Sequence, residues 1–225
     1  MRSYEQYCPL ARALDMVGDR WAMLVLRELF FAPKRFTDLQ TRLDGIAPNL
    51  LSRRLKELEA RGLVARRPSD DGRTSLYEVT DVARGLEKAM LELAKWGIQF
   101  LGSFEGDEPF AIEWLIPVLE EMADRAAAAG VHDVYEFRLG GSAFWVHVDD
   151  GDVRVRPGHA PGTVDLLVET DVDTFLSIGF GALTPEDAIA SGRARAAGDL
   201  TLAERALDIL APARTFSRLL SLIHI

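Results

Sequence analysis

Apolar positions in this chain recur at helical spacing in some stretches and alternate in others. The changeovers delimit its elements. A helix is expected over residues 9–17, opened by Pro9 and ended by Gly18. A second follows over 20–30, with Asp19 as its cap and Trp21, Leu24, Val25 and Leu29 on one stripe. Phe36, Leu39 and Leu43 share a face of a short helix, which Asp44-Gly45 breaks. Leu50, Leu51, Leu55 and Leu58 make the stripe of a longer helix that Pro48 opens and Gly62 closes. The period then drops to two. Residues 63–67 and 75–79 read as strands, joined by a polar tip, 68–73, with hairpin-type turn residues. Thr80 suits the N-cap of a long helix over 80–100, with Leu86, Met90, Leu93, Ala94 and Trp96 on its apolar side.

Residues 102–109 are polar and turn-rich, and they divide the chain. The expected organisation is a first domain over 1–101, a linker over 102–109 and a second domain over 110–225. The second pattern starts with a helix over 112–129. Strands follow over 134–139, 143–148, 153–156 and 164–169, with Gly140-Gly141 and 149–152 as hairpin turns. Helices are expected over 171–178, from Thr184-Pro185-Glu186-Asp187 onward, over 199–210 and from Pro212, with a short strand over 195–197. The fold class is therefore α+β: a winged helix-turn-helix first, then an antiparallel sheet covered by helices.

Charge sharpens this division. Residues 1–100 carry 17 Lys or Arg against 14 Asp or Glu, whereas 101–225 carry 9 against 21 and no Lys. Between Lys34 and Arg73 there are ten cations against six anions. An acidic half is repelled by nucleic acid, so a local basic excess in the other half points to DNA. The N-terminal turns of a recognition helix reach base edges in the major groove. Asn49, Ser52, Arg53 and Lys56 lie there, with Asn suited to adenine and Arg to guanine. Arg35, Thr37, Arg66, Arg67 and Arg73 are candidates for phosphate or wing contacts. Arginines on the polar side of a leucine-striped helix are also what any solvated helix shows. The hairpin beside them is what favours DNA.

The run from Cys8 to Gly97 resembles the HxlR-type family of bacterial transcription regulators. It has Cys8-Pro9, Gly18-Asp19-Arg20-Trp21, Leu26-Arg27-Glu28-Leu29 and Arg35-Phe36 with Leu39. It also has Gly45-Ile46, Leu51, Arg54-Leu55 with Leu58, Gly62-Leu63-Val64 with Arg66, Tyr77 with Val79-Thr80, and Trp96-Gly97. Ala47 stands where the family usually has a capping Ser, a loss of roughly 1 kcal/mol that Pro48 offsets by presetting φ. The resemblance implies a homodimer formed by the N-terminal arm and the 80–100 helix. From about Val131 to Leu210 the chain looks like the sterol carrier protein 2 family, carried by 164–168, Phe175, Gly181 with Leu183-Thr184-Pro185, Ala188, Gly192 and Gly198-Asp199. That resemblance implies a tunnel for an apolar guest, with Phe137, Phe144, Trp145, Phe175, Phe180 and Phe216 as candidate lining or as ordinary core.

Cys8 reads either as an oxidisable sensor thiol or as a small residue at a packed interface. One cysteine allows no internal disulfide. The scattered histidines, the lack of metal-ligand spacing, phosphate loop or nucleophile elbow, and the absence of a leader or membrane-length apolar run predict a cytoplasmic non-enzyme without cofactor or metal. The leading expectation is a homodimeric regulator that binds double-stranded DNA and senses a small hydrophobic ligand. The alternatives are a lipid or acyl carrier with a winged dimerisation module, and a regulator switched at Cys8.

Overall fold

A computed structural model describes residues 3–69, 72–101 and 109–210. The chain divides into two compact units between Leu93 and Ala94. In the first, α1 (Pro9–Val17), α2 (Ala22–Phe31), α3 (Phe36–Arg42) and α4 (Pro48–Ala60) precede a hairpin of β2 (Val64–Pro68) and β3 (Ser75–Val79). A two-residue strand, β1 (Lys34–Arg35), pairs antiparallel with β3 and makes the sheet order β1-β3-β2. Val25, Leu26 and Leu29 of α2, Leu39 of α3 and Leu51, Leu55 and Leu58 of α4 fill one core. Gly62 holds a φ of +69° and ends α4, with its N–H on the Glu59 carbonyl and that of Leu63 on the Leu58 carbonyl. This paired closure is the Schellman arrangement that a glycine at this position permits.

Two sequence expectations change here. Asp19 does not cap α2: the N-cap is Trp21, without a side-chain cap bond, and the Asp19 carboxylate turns to arginines instead. The long helix over 80–100 is three pieces: α5 (Asp81–Arg84), α6 (Glu87–Gly97) and a 3₁₀ turn, Ile98–Phe100. Thr80 does cap α5, accepting from Ala83 N–H. Gly85 interrupts the ladder there, and the Leu86 N–H closes a four-residue turn on the Ala83 carbonyl.

The second unit holds α7 (Ile112–Met122), β4 (His132–Leu139), β5 (Ser142–Asp149), β6 (Asp152–Pro157), β7 (Leu166–Thr170), α8 (Val172–Gly179), α9 (Pro185–Ala190), β8 (Ala194–Gly198) and α10 (Leu202–Leu210). The helix expected over 112–129 stops at Met122, because Asp124 accepts from the N–H groups of Ala126 and Ala127 and makes a local turn. Asp150 and Gly151, both at positive φ, form the two-residue β5–β6 turn. The sheet runs β6-β5-β4-β7-β8. It is mixed instead of wholly antiparallel, since β7 lies parallel to β4. The chain leaves the β6 edge and returns beside β4 on the far side, so β7 enters in the direction of β4.

One face of this sheet carries Tyr135, Phe137, Phe144, Val146, Val153 and Val155 against residues of α7, α8 and α10. The opposite face carries Glu136, Arg138, Trp145, His147, Arg154 and Arg156, as strict alternation demands. Glu120 of α7 accepts from the backbone N–H of Val155 on β6 at 2.8 Å and from Arg156 at 2.9 Å. The helix expected from Pro212 lies outside the described residues.

Candidate nucleic-acid interface

The surface of α4 follows from its sequence period. Leu51, Leu55 and Leu58 are fully buried, which turns Asn49, Arg53 and Lys56 outward, with Ser52 half-buried between them. The Arg53 side chain is 63% exposed and lies 4.0 Å from Glu57, one turn along α4. Its sequence neighbour behaves differently. Arg54 is 13% exposed and lies 3.1 Å from Asp19. Of two adjacent arginines, one faces solvent and the other braces the helix from below.

The wing places the remaining candidates. Cross-strand register sets Lys34, Tyr77 and Arg66 in one row and Arg35, Leu76 and Arg67 in the next. Alternation puts these rows on opposite faces of the small sheet. The Arg66 guanidinium sits 5.9 Å from the Tyr77 ring centre, a cation–π contact that leaves its charge outward. Arg67 is half-buried and donates to Glu78 at 2.9 Å. Arg73 is exposed at the tip. The tip is closed from beneath by Ser69, whose hydroxyl bonds the Thr74 carbonyl at 3.0 Å and accepts from its N–H at 3.1 Å. Arg35 caps the entrance of α3, its N–H on Asp38 at 3.0 Å, and Thr37 is exposed one residue into α3.

Under this surface lies a fully enclosed carboxylate that pattern reading passed over. Glu28 of α2 has no exposed surface, accepts from Arg27 at 2.9 Å and Arg42 at 2.5 Å, and so joins α2 to the end of α3. An acid inside an otherwise apolar helix, next to an arginine, was the available signal. A buried charge of this kind is tolerated only when paired. Burial lowers the Arg27 guanidinium from its ordinary value, and the Glu28 charge opposes that drop.

Cys8 is half-buried and stands at the N-cap of α1 without a side-chain cap bond. Arg12, one turn along, points to Asp15 at 3.7 Å. The N-terminal arm is pinned to α1 by Ser3 and the Tyr4 N–H on Asp15, and these bonds hold the Asp15 carboxyl below its ordinary value. Tyr4, Tyr7 and Leu10 are exposed, and α6 buries no side chain, exposing Leu93 and Trp96.

The apolar candidates of the second unit divide. Phe137 and Phe144 stack at 4.9 Å, and Phe175 of α8 meets both edge-on at 5.5 and 5.6 Å. Trp145 lies on the other face of the sheet, because Phe144 before it points inward. Phe180 is the half-buried C-cap of α8, and Phe216 lies outside the described residues. Among the described residues no group of three or more His, Cys, Asp or Glu is arranged to hold a metal. No described helix is long and apolar enough to cross a membrane.

Comparison with known proteins matches residues 16–104 to the HxlR-like helix-turn-helix family and residues 115–211 to the SCP-2 sterol transfer family. An uncharacterized HTH-type transcriptional regulator of Mycobacterium tuberculosis is 42% identical over 98 residues, 43% of this chain and 61% of that protein. The chain thus spans about three-fifths of that relative's length. The uncharacterized HTH-type transcriptional regulator YvaP of Bacillus subtilis is 30% identical over 43% of this chain and 91% of its own length. The solved structure of the reduced form of YodB from Bacillus subtilis is 28% identical, covers 44% of this chain and all of that chain, and superposes with a TM-score of 0.38. On the family match and the likeness to YvaP, the chain belongs to the HxlR-like helix-turn-helix family.

Proposed function

We propose that this protein is a homodimeric transcription regulator that reads double-stranded DNA through α4 and the β2–β3 wing. The observation that carries this reading is the two-sidedness of α4: three leucines fully buried on one side, Asn49, Arg53 and Lys56 in solvent on the other. Arg53 and Asn49 are assigned to base edges. Lys56, Arg35, Thr37, Arg66 and Arg73 are assigned to phosphates, while Arg67, held by Glu78, braces the wing. The arm and α6 are assigned to the two-fold contact, since α6 has no fully buried side chain and leaves Leu93 and Trp96 in solvent. A symmetric pair sets two recognition helices about 34–36 Å apart, the spacing of half-sites one turn apart.

The second unit is assigned to a small apolar ligand on the helix-covered face of its sheet, near Phe137, Phe144, Phe175 and Phe180. Ligand that favours one dimer geometry over another shifts DNA affinity by the difference of its own affinities for the two. In this reading residues 102–109 join a DNA-binding domain to a sensing domain.

A salt series with duplex DNA tests the first assignment. Expected is a linear fall of log affinity with log salt, together with tighter binding to a duplex enriched by the protein from a randomised library than to its scrambled version. A protein that binds both duplexes equally is a carrier with a winged dimerisation module, and the regulator reading is lost. Mass spectrometry of an organic extract of the purified protein tests the ligand assignment.

A further inference from the structure

Arg53 is exposed, yet it is tied through its own helix to charges beneath it. Asp19 sits in the turn between α1 and α2. Its Oδ2 lies 3.1 Å from Arg54 and 3.7 Å from Arg61. These two arginines are two helical turns apart and therefore share one flank of α4. Arg61 also donates to the Met16 carbonyl at 2.7 Å, at the end of α1. Arg54 in turn pairs with Glu57 Oε2, and Glu57 Oε1 lies 4.0 Å from Arg53. The order is Asp19, Arg54, Glu57, Arg53, from beneath the helix to its outer surface. Arg54 Nε and Asp19 Oδ2 make no aligned hydrogen bond, so charge holds this part together. Salt screens such a cluster weakly because it is mostly enclosed.

The leucine stripe fixes how deeply α4 sits, but apolar contact is non-directional and tolerates rotation about the helix axis. The flanking charges select one rotation. We propose that Asp19 is a positioning residue for sequence reading: it sets the rotation of α4 and, through Arg54 and Glu57, the reach of Arg53. This rests on the DNA-binding reading above and deepens it. Removal of the Asp19 charge lets Arg54 draw Glu57 away from Arg53, and Arg53 then samples more rotamers. A bidentate contact to a base edge needs one geometry, whereas a phosphate contact does not.

The test measures affinity for a duplex enriched from a randomised library by the wild-type protein and for its scrambled version, over a salt series. Asp19→Asn keeps shape and removes charge. It is expected to lower the ratio of the two affinities about tenfold, with the scrambled-duplex affinity and the salt slope unchanged. Asp19→Glu restores most of the ratio. Glu57→Gln leaves the Asp19 contacts in place and gives the same loss. In an Arg53→Ala background, Asp19→Asn causes no further loss. A ratio that stays at the wild-type value in Asp19→Asn overturns the proposal, as does a loss that adds to that of Arg53→Ala. If Asp19→Asn lowers both affinities together, as lost folded protein does, Glu57→Gln decides, and an unchanged ratio there overturns it. Wild-type protein that does not discriminate between the duplexes overturns the DNA-binding reading itself, and the two failures are thereby distinct.

Discussion

The two units use the same residue in opposite ways. In the sheet unit, Arg138, Arg154, Arg156, Arg193 and Arg205 each close on a carboxylate within 3.0 Å. In the winged unit the arginines split: Arg27, Arg42 and Arg54 are spent on internal carboxylates, while Arg53 and Arg66 carry their charge outward. Composition alone gives the winged unit only a small basic excess. Net charge, 17 cations against 14 anions over residues 1–100 and 9 against 21 over 101–225, already separates a surface suited to phosphate from one that repels it, and local pairing then sets which arginines of the winged unit face outward.

The comparison can be broken most severely from inside. Leu55→Ala empties a fully buried site of α4 and is expected to cost the winged unit about 2–5 kcal/mol in denaturant unfolding, while Arg53→Ala changes stability by no more than about 0.5 kcal/mol. At the DNA step the order reverses. Arg53→Ala is expected to lose about 1–3 kcal/mol of discrimination between enriched and scrambled duplexes, and Arg156→Ala in the sheet unit leaves both affinities unchanged in the same anisotropy titration. Lys56→Ala is expected to weaken both duplexes alike and to reduce the salt slope by about 1.

A further effect concerns acid. Burial pushes the Glu136 carboxyl up, but hydrogen bonds from His159, the Ala160 N–H and Arg138 outweigh that and bring it from 4.5 down to about 2. A folded value below the unfolded one gives stability that is complete above about 4.5 and is lost as pH falls through about 2. Glu136→Gln is expected to flatten that part of the stability–pH curve, read by thermal unfolding of the sheet unit. A curve as steep as that of the wild type would mean that another carboxylate carries the acid dependence.

Long periodic elements were legible in the residues: α1, α3, α4, β3, the Thr80 and Thr184 caps and the Asp150-Gly151 turn all stand close to where pattern and turn chemistry put them. Short or long-range features were not. The strand at Lys34–Arg35 is two residues long and exists only because β3 lies beside it. The parallel entry of β7 depends on a partner some thirty positions away, with Tyr135 opposite Leu166. For the candidate site, helical spacing separated the leucines from the cations and put Arg53 opposite the leucine stripe, with Arg54 on its flank. The acid that Arg54 meets there, Asp19, belongs to another element and was not legible. The facing of Trp145 was legible too: with Phe144 in the core, its neighbour in a strand must face away.

The carboxylate of Glu120 has a consequence for assembly. Strand β6 is an outer strand, and an outer strand with bare amides is a template on which an identical chain can zip. By occupying the amide of Val155, Glu120 removes one rung from that template, and Arg154 and Arg156 put charge on either side of it. With that rung taken and charge beside it, an identical chain finds less on this strand to zip onto.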